Sequence, residues 1–185
     1  MTSTETGTAV TTWTIDPAHS EVEFAVKHMM ITTVKGWFED VKGTIAIDES
    51  NPENSNVDVT IDANSVNTRA KDRDAHLRSA DFFEVDQYPT LTFRSTAIEG
   101  ATDQEGESFK VIGDLTIRGV TRQVVLDAEF EGKGHALGSE RASFTAKTKI
   151  DRREFGLKWN QALEAGGILV SNDVRISISV QATRD

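Results

Sequence analysis

The side chains that could do chemistry begin in the string WTIDPAHS near the N-terminus. Asp16, His19 and Ser20 combine the three residue types of a nucleophilic triad. A triad needs its nucleophile on a strained turn and a base that is oriented by a third group. Asp16 followed by Pro17 is instead ordinary turn chemistry, in which Asp caps the turn and Pro fixes φ. We therefore expect turn hydrogen bonds here and predict no catalytic residue.

A second candidate site is the segment NTRAKDRDAHLRSADFF, which concentrates basic side chains in a chain of formal net charge −10. If Ala70 to Ser79 is helical, Asp72 and His76 lie four residues apart on one face, a spacing used by metal ligands and by ion pairs. The chain has only four His and no HExxH motif, so we expect no metal. We predict instead an ion-paired helix that covers one end of the fold.

The elements that must position these residues follow from an alternation of apolar and polar residues along most of the chain. Side chains of a strand point alternately to opposite faces, so this period of two predicts half-buried β-strands. Only two short segments, Met29 to Lys35 and Ala70 to Ser79, favour helix. The alternating runs are Val22 to Val26, Val57 to Ala63, Leu91 to Ala97, Val111 to Ile117, Val124 to Phe130, Ala142 to Ile150 and Val174 to Ala182.

A sheet with so many apolar faces and so few helices must cover itself, either as a sandwich or as a closed barrel. The predicted strands are longer than the usual five to six or so residues, and closure removes exposed strand edges. We therefore predict an all-β fold, an antiparallel up-and-down barrel of about eight strands with two short helical insertions. A barrel of about this size is filled by side chains or holds one small ligand. The sequence leaves open whether the small inward residues leave a cavity or pack against inward phenylalanines.

Length and composition indicate one domain and exclude several classes of function. Of the 185 residues, 1–10 form a Thr-rich stretch that we expect to be a flexible tail, and 11–185 form the barrel domain. The tail lacks the basic and apolar regions of a signal peptide, so we expect a cytoplasmic protein. No apolar run approaches the roughly 20 residues of a membrane span. The absence of Cys excludes disulfides, and the negative charge argues against binding of nucleic acid or of anionic membranes.

Several long strings, in order, resemble the YceI-like family from about Trp13 to the C-terminus. They are WTIDPAHSEVEFAVKHM, VKGWFEDVKGTI, NSVNTRAKDRDAHLRSADFFEVDQYPTLTFRST, GDLTIRGVTRQVVL and DRREFGLKWN. The resemblance implies an extended, lipocalin-like barrel whose pore holds a long apolar chain, with polyisoprenoids and fatty-acid-type amides as the associated ligands. Many members of the family carry a secretion signal, whereas this chain begins with the Thr-rich stretch.

From the strand pattern and the resemblance together we expect a non-enzymatic protein that binds, transports or stores a polyisoprenoid, an isoprenoid quinone precursor or another long-chain lipid. Three alternatives stay open. They are a fatty acid or fatty amide carrier, a ligand-free interaction module of the stress response, and a barrel enzyme that acts on a bound lipid through His28 or His76. We expect no cofactor, and a homodimer stays open because two-fold dimers are common.

The candidate ligand-binding residues are those that alternation turns inward and those near a barrel opening. Met29, Met30 and Leu77 are expected near an opening, and Arg73 or Arg78 could meet a phosphate or another polar head group there. The inward candidates are Phe24, Val26, His28, Phe38, Val59, Phe93, Leu115, Leu126, Phe144 and Ile176.

Overall fold

The computed structural model describes residues 9–184, and these contain eleven β-strands in one antiparallel sheet. The same residues contain one α-helix, α1, at Lys71–Arg78, and 3-10 turns at Pro17–His19, Pro52–Asn54, Ala63–Ser65 and Arg152–Phe155. The strands are β1 Val10–Ile15, β2 Glu21–His28, β3 Thr32–Phe38, β4 Val41–Asp48, β5 Asn56–Asp62, β6 Val66–Asn67, β7 Thr90–Glu99, β8 Ser108–Ile117, β9 Val120–Ala136, β10 Ser139–Asp151 and β11 Asp173–Arg184.

The sheet closes into a barrel because β1 pairs with β4 on one side and with β11 on the other. The closed ring of the described chain has eight strands in the order β1, β4, β5, β7, β8, β9, β10 and β11. The closing contact joins Ile15 to Ala182. β2 pairs with the other half of β11, and β3 and β6 extend this wall. The predicted antiparallel barrel of about eight strands is therefore confirmed.

The alternation predicted for β11 appears directly in the burial of its side chains. Ser177 and Ser179 are exposed on the outside, whereas Ile176 and Ile178 are turned inward. β10 pairs with β11 from Glu140 to Asp151. Long, continuous pairing of this kind satisfies the backbone polar groups, so that apolar side chains can line the inward face.

The core divides into two clusters along the barrel. One surrounds Trp13, which is 1% exposed, and includes Phe130 and Ala182. The larger cluster lies toward α1 and includes Phe38, Phe93 and other buried apolar residues. A flexible tail is predicted for residues 1–10. Residues 1–8 of it lie outside the described residues, and Val10 belongs to β1.

The helix predicted for Met29 to Lys35 is wrong, because these residues form a hairpin turn and the start of β3. Met29 and Met30 have φ values of 52° and 63°, and Ile31 N donates to His28 O at 3.2 Å. Two consecutive residues with positive φ are typical of the turns that match the twist of a hairpin. The β-branched residues that follow favour a strand over a helix.

The predicted alternation also fails within β7. The pairing of β7 with β8 shifts between Ser95 and Ala97, which inserts one extra residue and reverses the two faces beyond it. As a result, Ile98 is buried, whereas Ala97 is exposed.

The second predicted helix is present as α1, and buried polar contacts fasten it to the barrel end. Asp74 Oδ1 accepts hydrogen bonds from Thr68 N at 2.8 Å and from Thr68 Oγ1 at 2.5 Å. Arg78 donates from Nε to Asn64 O and from Nη2 to Val66 O. No helix within the described residues is long and apolar enough to cross a bilayer.

Candidate functional site

The interior of the barrel holds a cavity of about 790 Å³. This volume lies within the range of about 300–1,000 Å³ that is typical of small-molecule sites. Its wall consists mainly of the inward apolar side chains of the ring strands and of β2 and β3. The inward phenylalanines therefore do not fill the barrel, which answers the question that the sequence left open.

Two phenylalanine rings do not occupy this space, because each lies against a glycine on a neighbouring strand. The Phe24 ring occupies the place where Gly36 of β3 would carry a Cβ. A Cβ on Gly113 of β8 would lie 2.5 Å from Phe93 Cζ. Since glycine has no side chain, both rings lie along the wall and not across the lumen.

The structure brings most of the predicted ligand-binding residues to this cavity. Every inward candidate from Phe24 to Ile176 lines it, as do Leu77 and Arg73. Met29 and Met30 are absent from its wall, since they lie at the hairpin tip with 45% and 64% of their surface exposed. Arg78 is also absent from the wall, because its guanidinium is directed to the main-chain carbonyls of Asn64 and Val66.

At the α1 end, the cavity wall includes polar side chains that are held by protein partners. Arg73 donates to Thr68 Oγ1 and Thr68 O, both at 2.8 Å. His76 Nε2 lies 2.8 Å from Asp81 Oδ2, so the hydrogen-bond partner of His76 is Asp81 and not Asp72. The His76 ring packs edge-on against the Trp159 ring at a centroid distance of 4.6 Å. These contacts fix the orientation of both side chains. Among residues 9–184, no group of three His, Asp or Glu side chains is arranged to hold a metal ion.

His28 lies close to this end of the cavity, at the end of β2. It forms an isolated antiparallel bridge with Val170, and Met29 N donates to Leu169 O at 2.8 Å. The segment around Val170 therefore runs beside β2 and completes the wall, with Leu169 and Val170 themselves lining the cavity.

One lining residue that the sequence did not point to is Arg152, which is 3% exposed. It lies in DRREFG, where adjacent charges are typical of turns. Arg153 Nη2 binds Asp151 Oδ2 at 2.6 Å, and this hydrogen bond is the main reason that the pKa of Asp151 is lowered. Arg152 is turned inward instead, and its burial lowers the pKa of its guanidinium. Two adjacent arginines beside one aspartate were the only local signal.

Whereas Arg73 and Arg152 are cations at the α1 end, the opposite end of the cavity has an excess of negative charge. Glu49, Asp103 and Glu105 line it together with Lys133. Lys133 Nζ lies 3.6 Å from Glu49 Oε1 and so compensates one of the three carboxylates. The cavity therefore joins an end with excess positive charge to an end with excess negative charge.

The N-terminal cluster forms the turn that the sequence predicts. His19 Nδ1 lies 2.7 Å from Asp16 Oδ2, and the hydrogen bond between them is the main reason that the pKa of Asp16 is lowered. Ala18 N donates to Asp16 Oδ1 at 2.9 Å, as expected of a capping aspartate. Ser20 Oγ accepts from Gln181 N and donates to Gln181 O, so its hydrogen bonds join this turn to β11 and do not involve His19.

Comparisons with known proteins agree with this architecture. A family model described as a YceI-like domain matches residues 13–182. A UPF0312 protein of Staphylococcus aureus (strain USA300) is 37% identical over 174 residues, which span 93% of this chain and 97% of that protein. The crystal structure of a Campylobacter jejuni YCEI protein is 35% identical, with a TM-score of 0.72 over 86% of this chain and 90% of that one.

Two further solved structures are similar in fold. Burkholderia cenocepacia BcnA has a TM-score of 0.78 at 24% identity, over 90% of this chain and 98% of that one. A domain from Saccharophagus degradans, described as polyisoprenoid binding and implicated in plant cell wall breakdown, has a TM-score of 0.69 at 18% identity. That match covers 94% of this chain and 98% of the domain.

Proposed function

Since the chain belongs to the YceI-like family, we propose that its barrel binds a long-chain lipid of the polyisoprenoid class and carries or stores it without chemical change. The observation that carries this proposal is the cavity of about 790 Å³ with an apolar wall. An apolar cavity binds an apolar chain by removing it from water, and each buried methylene contributes about 0.8 kcal/mol.

The class of lipid is supported by fold and by shape. A domain of the same fold is described as polyisoprenoid binding. The wall consists of residues drawn from strands along the whole barrel, from Ile47 and Phe109 near one end to Ile150 near the other. An extended site of this form suits one long chain better than a compact molecule.

Carriage without chemistry is supported by the state of the polar groups in the wall. Arg73 is bound by Thr68, His76 is bound by Asp81, and Arg152 is bound by main-chain carbonyls. Arg73 and Arg152 keep their protons, so they can orient a ligand but cannot remove a proton from it.

Organic extraction of the purified protein followed by mass spectrometry tests the proposal. The comparison is with the Ala146→Phe variant, prepared from the same cells, because Ala146 lines the middle of the cavity. We expect a long-chain polyisoprenoid at near-stoichiometric amount in the wild type and much less in the variant. A stoichiometric fatty acid or amide would retain lipid binding and reject the polyisoprenoid class. An empty extract, followed by no uptake of polyprenyl or fatty-acyl lipids, would reject the proposal.

The enzymatic alternative is tested by incubating the extracted lipid with the wild type and with the His28→Ala and His76→Ala variants. We expect the recovered lipid to be chemically unchanged in all three. A product that forms with the wild type and disappears with either variant, while lipid is still retained, would replace carriage by catalysis.

A further inference from the structure

The cavity wall contains a buried cation that has no carboxylate partner among residues 9–184. Arg152 donates from Nε to Ser171 O at 2.9 Å and from Nη1 to Leu157 O at 2.7 Å and Trp159 O at 2.9 Å. Nη2 makes a longer contact of 3.4 Å with Val170 O. A guanidinium has five N–H donors, so one N–H of Nη2 has no acceptor in the described part of the chain.

Carbonyl groups orient this guanidinium but leave its charge uncancelled. A buried charge is costly unless it is paired, and an arginine keeps its proton when it is buried. The nearest acidic side chain in sequence, Asp151, is bound by Nε and Nη2 of Arg153. The charge of Asp151 acts on Arg152, but the two form no ion pair. Part of the positive charge therefore stays at the boundary of a low-dielectric cavity, where an anion is attracted more strongly than in water.

Another charged side chain in the wall at this end is also a cation. Arg73 adds a second cation to the wall at the α1 end. Asp74 is bound by the same Thr68 as Arg73 and offsets part of the charge of Arg73, Asp81 is bound by His76, and neither carboxylate lines the cavity.

The distance between the two charged ends suits a long chain. Lys133 at the far end pairs with Ala142 of β10, and Arg152 lies ten residues beyond Ala142. At a rise of about 3.4 Å per residue this is about 34 Å along the strand, and about 26 Å along the axis for a strand tilt near 40°. A head group at either end would therefore be in a clearly different electrostatic environment.

We propose that Arg152 is the head-group site of this cavity and binds an oxyanion, a carboxylate or a phosphate, at the end of the apolar chain. The lipid then lies with its head toward α1 and its tail toward Glu49 and Lys133. The unused N–H of Nη2 donates to the oxyanion, and Arg73 contributes charge from α1. This inference rests on the proposed function and adds to it the anionic class and the direction of the ligand.

Four probes with the same 16-carbon tail test this inference on the wild-type protein: hexadecyl phosphate, hexadecanoic acid, hexadecanol and hexadecyltrimethylammonium. Their affinities are measured by calorimetry below the concentrations at which they aggregate. We expect at least one of the two anions to bind about ten- to a hundredfold more tightly than the alcohol, the ratio given by one charge-assisted hydrogen bond. We expect the ammonium compound to bind most weakly. Whichever anion binds more tightly identifies the head group as phosphate or carboxylate.

Two variants locate this preference. Arg152→Gln is expected to reduce the ratio of anion to alcohol affinity to less than about threefold, and Arg152→Lys is expected to restore part of it. The matched control is Arg122→Gln, since Arg122 is exposed, donates to Glu154 O and does not line the cavity, so this change is expected to leave the ratio unchanged. Because Arg152 also fastens the 157–171 segment, near-ultraviolet circular dichroism checks folding of each variant. If Arg152→Gln does not fold, the affinities of the wild-type protein for the four probes test the inference.

The outcomes separate this inference from the proposed function. Equal affinity for all four probes, or tightest binding of the ammonium compound, would overturn the head-group site and leave lipid binding intact. A preference for anions that survives Arg152→Gln in a folded protein would also overturn it. If none of the probes binds and no lipid is extracted, the proposed function itself fails.

Discussion

A single phenylalanine in the middle of the barrel should obstruct a threaded chain without disturbing the fold. Ala146 of β10 lies between Ala128 of β9 and Ile178 of β11, and its side chain faces the cavity. In Ala146→Phe the added ring enters existing space, so it does not have to displace packed side chains. We expect the free energy of unfolding to change by less than about 1 kcal/mol, in contrast to the 1–3 or so kcal/mol of an overpacked core.

The loss of affinity follows from the chain carbons that the ring displaces. Phe has six more carbons than Ala, so it displaces up to about six methylenes at about 0.8 kcal/mol each, or about 5 kcal/mol. A chain that bends past the ring loses less. We therefore expect a loss of at least about 3 kcal/mol, which is more than about a hundredfold in the dissociation constant.

Titration calorimetry with hexadecanoic acid measures this loss, and Ser177→Phe is the matched control. Ser177 is exposed on β11 next to Ile178, so the same ring is added outside the barrel. We expect the control to bind with wild-type affinity. If Ala146→Phe is folded and binds as tightly as the wild type, the chain does not pass through the middle of the barrel and our reasoning is refuted.

Three further predictions address the ligand, the wall and the loops. In a series of saturated fatty acids, each added methylene should raise the affinity about fourfold until the cavity is filled; a slope under about 1.5-fold in calorimetry would contradict burial of the chain. Gly113→Ala should destabilise the protein to denaturant by about 1–3 kcal/mol, because its Cβ would lie 2.5 Å from Phe93 Cζ and from a main-chain oxygen, whereas Gly134→Ala has open space and should be neutral. Hydrogen bonds led by that of the Ser50 hydroxyl lower the pKa of Asp48, so its stabilisation should be complete above about pH 5 and be lost as the pH falls through the lowered pKa. Thermal unfolding between pH 3 and 7 or so should accordingly show a weaker pH dependence for Asp48→Asn, and equal slopes would contradict this assignment.

Much of the fold could be predicted from local sequence because a strand has only two faces. The period of two in Val174 to Ala182 determines which side chains share a face, whatever the strand packs against. Closure then turns that face inward, which is why residues as distant in sequence as Phe24 and Ile176 both reach the cavity. The helix at Lys71–Arg78 was also predicted, within one residue at each end.

The prediction failed where main-chain geometry overrides composition. Met29 and Met30 take positive φ because β2 and β3 must reverse direction there, and their neighbours in sequence do not signal it. The shift between Ser95 and Ala97 likewise depends on the pairing of β7 with β8. Such features belong to pairs of strands and have no signature in one strand alone.

The sequence by itself determined most of the long strands, the inward face of each regular one and the excess of negative charge. Only the tertiary structure decided that a cavity remains, because its volume depends on how closely phenylalanines such as Phe24 and Phe93 lie against glycines of other strands. It also decided that Arg152 is turned inward and Arg153 outward, although the two are adjacent and chemically identical. The physical reason is that both outcomes are set by contacts between segments distant in the chain, which alternation along one segment does not encode.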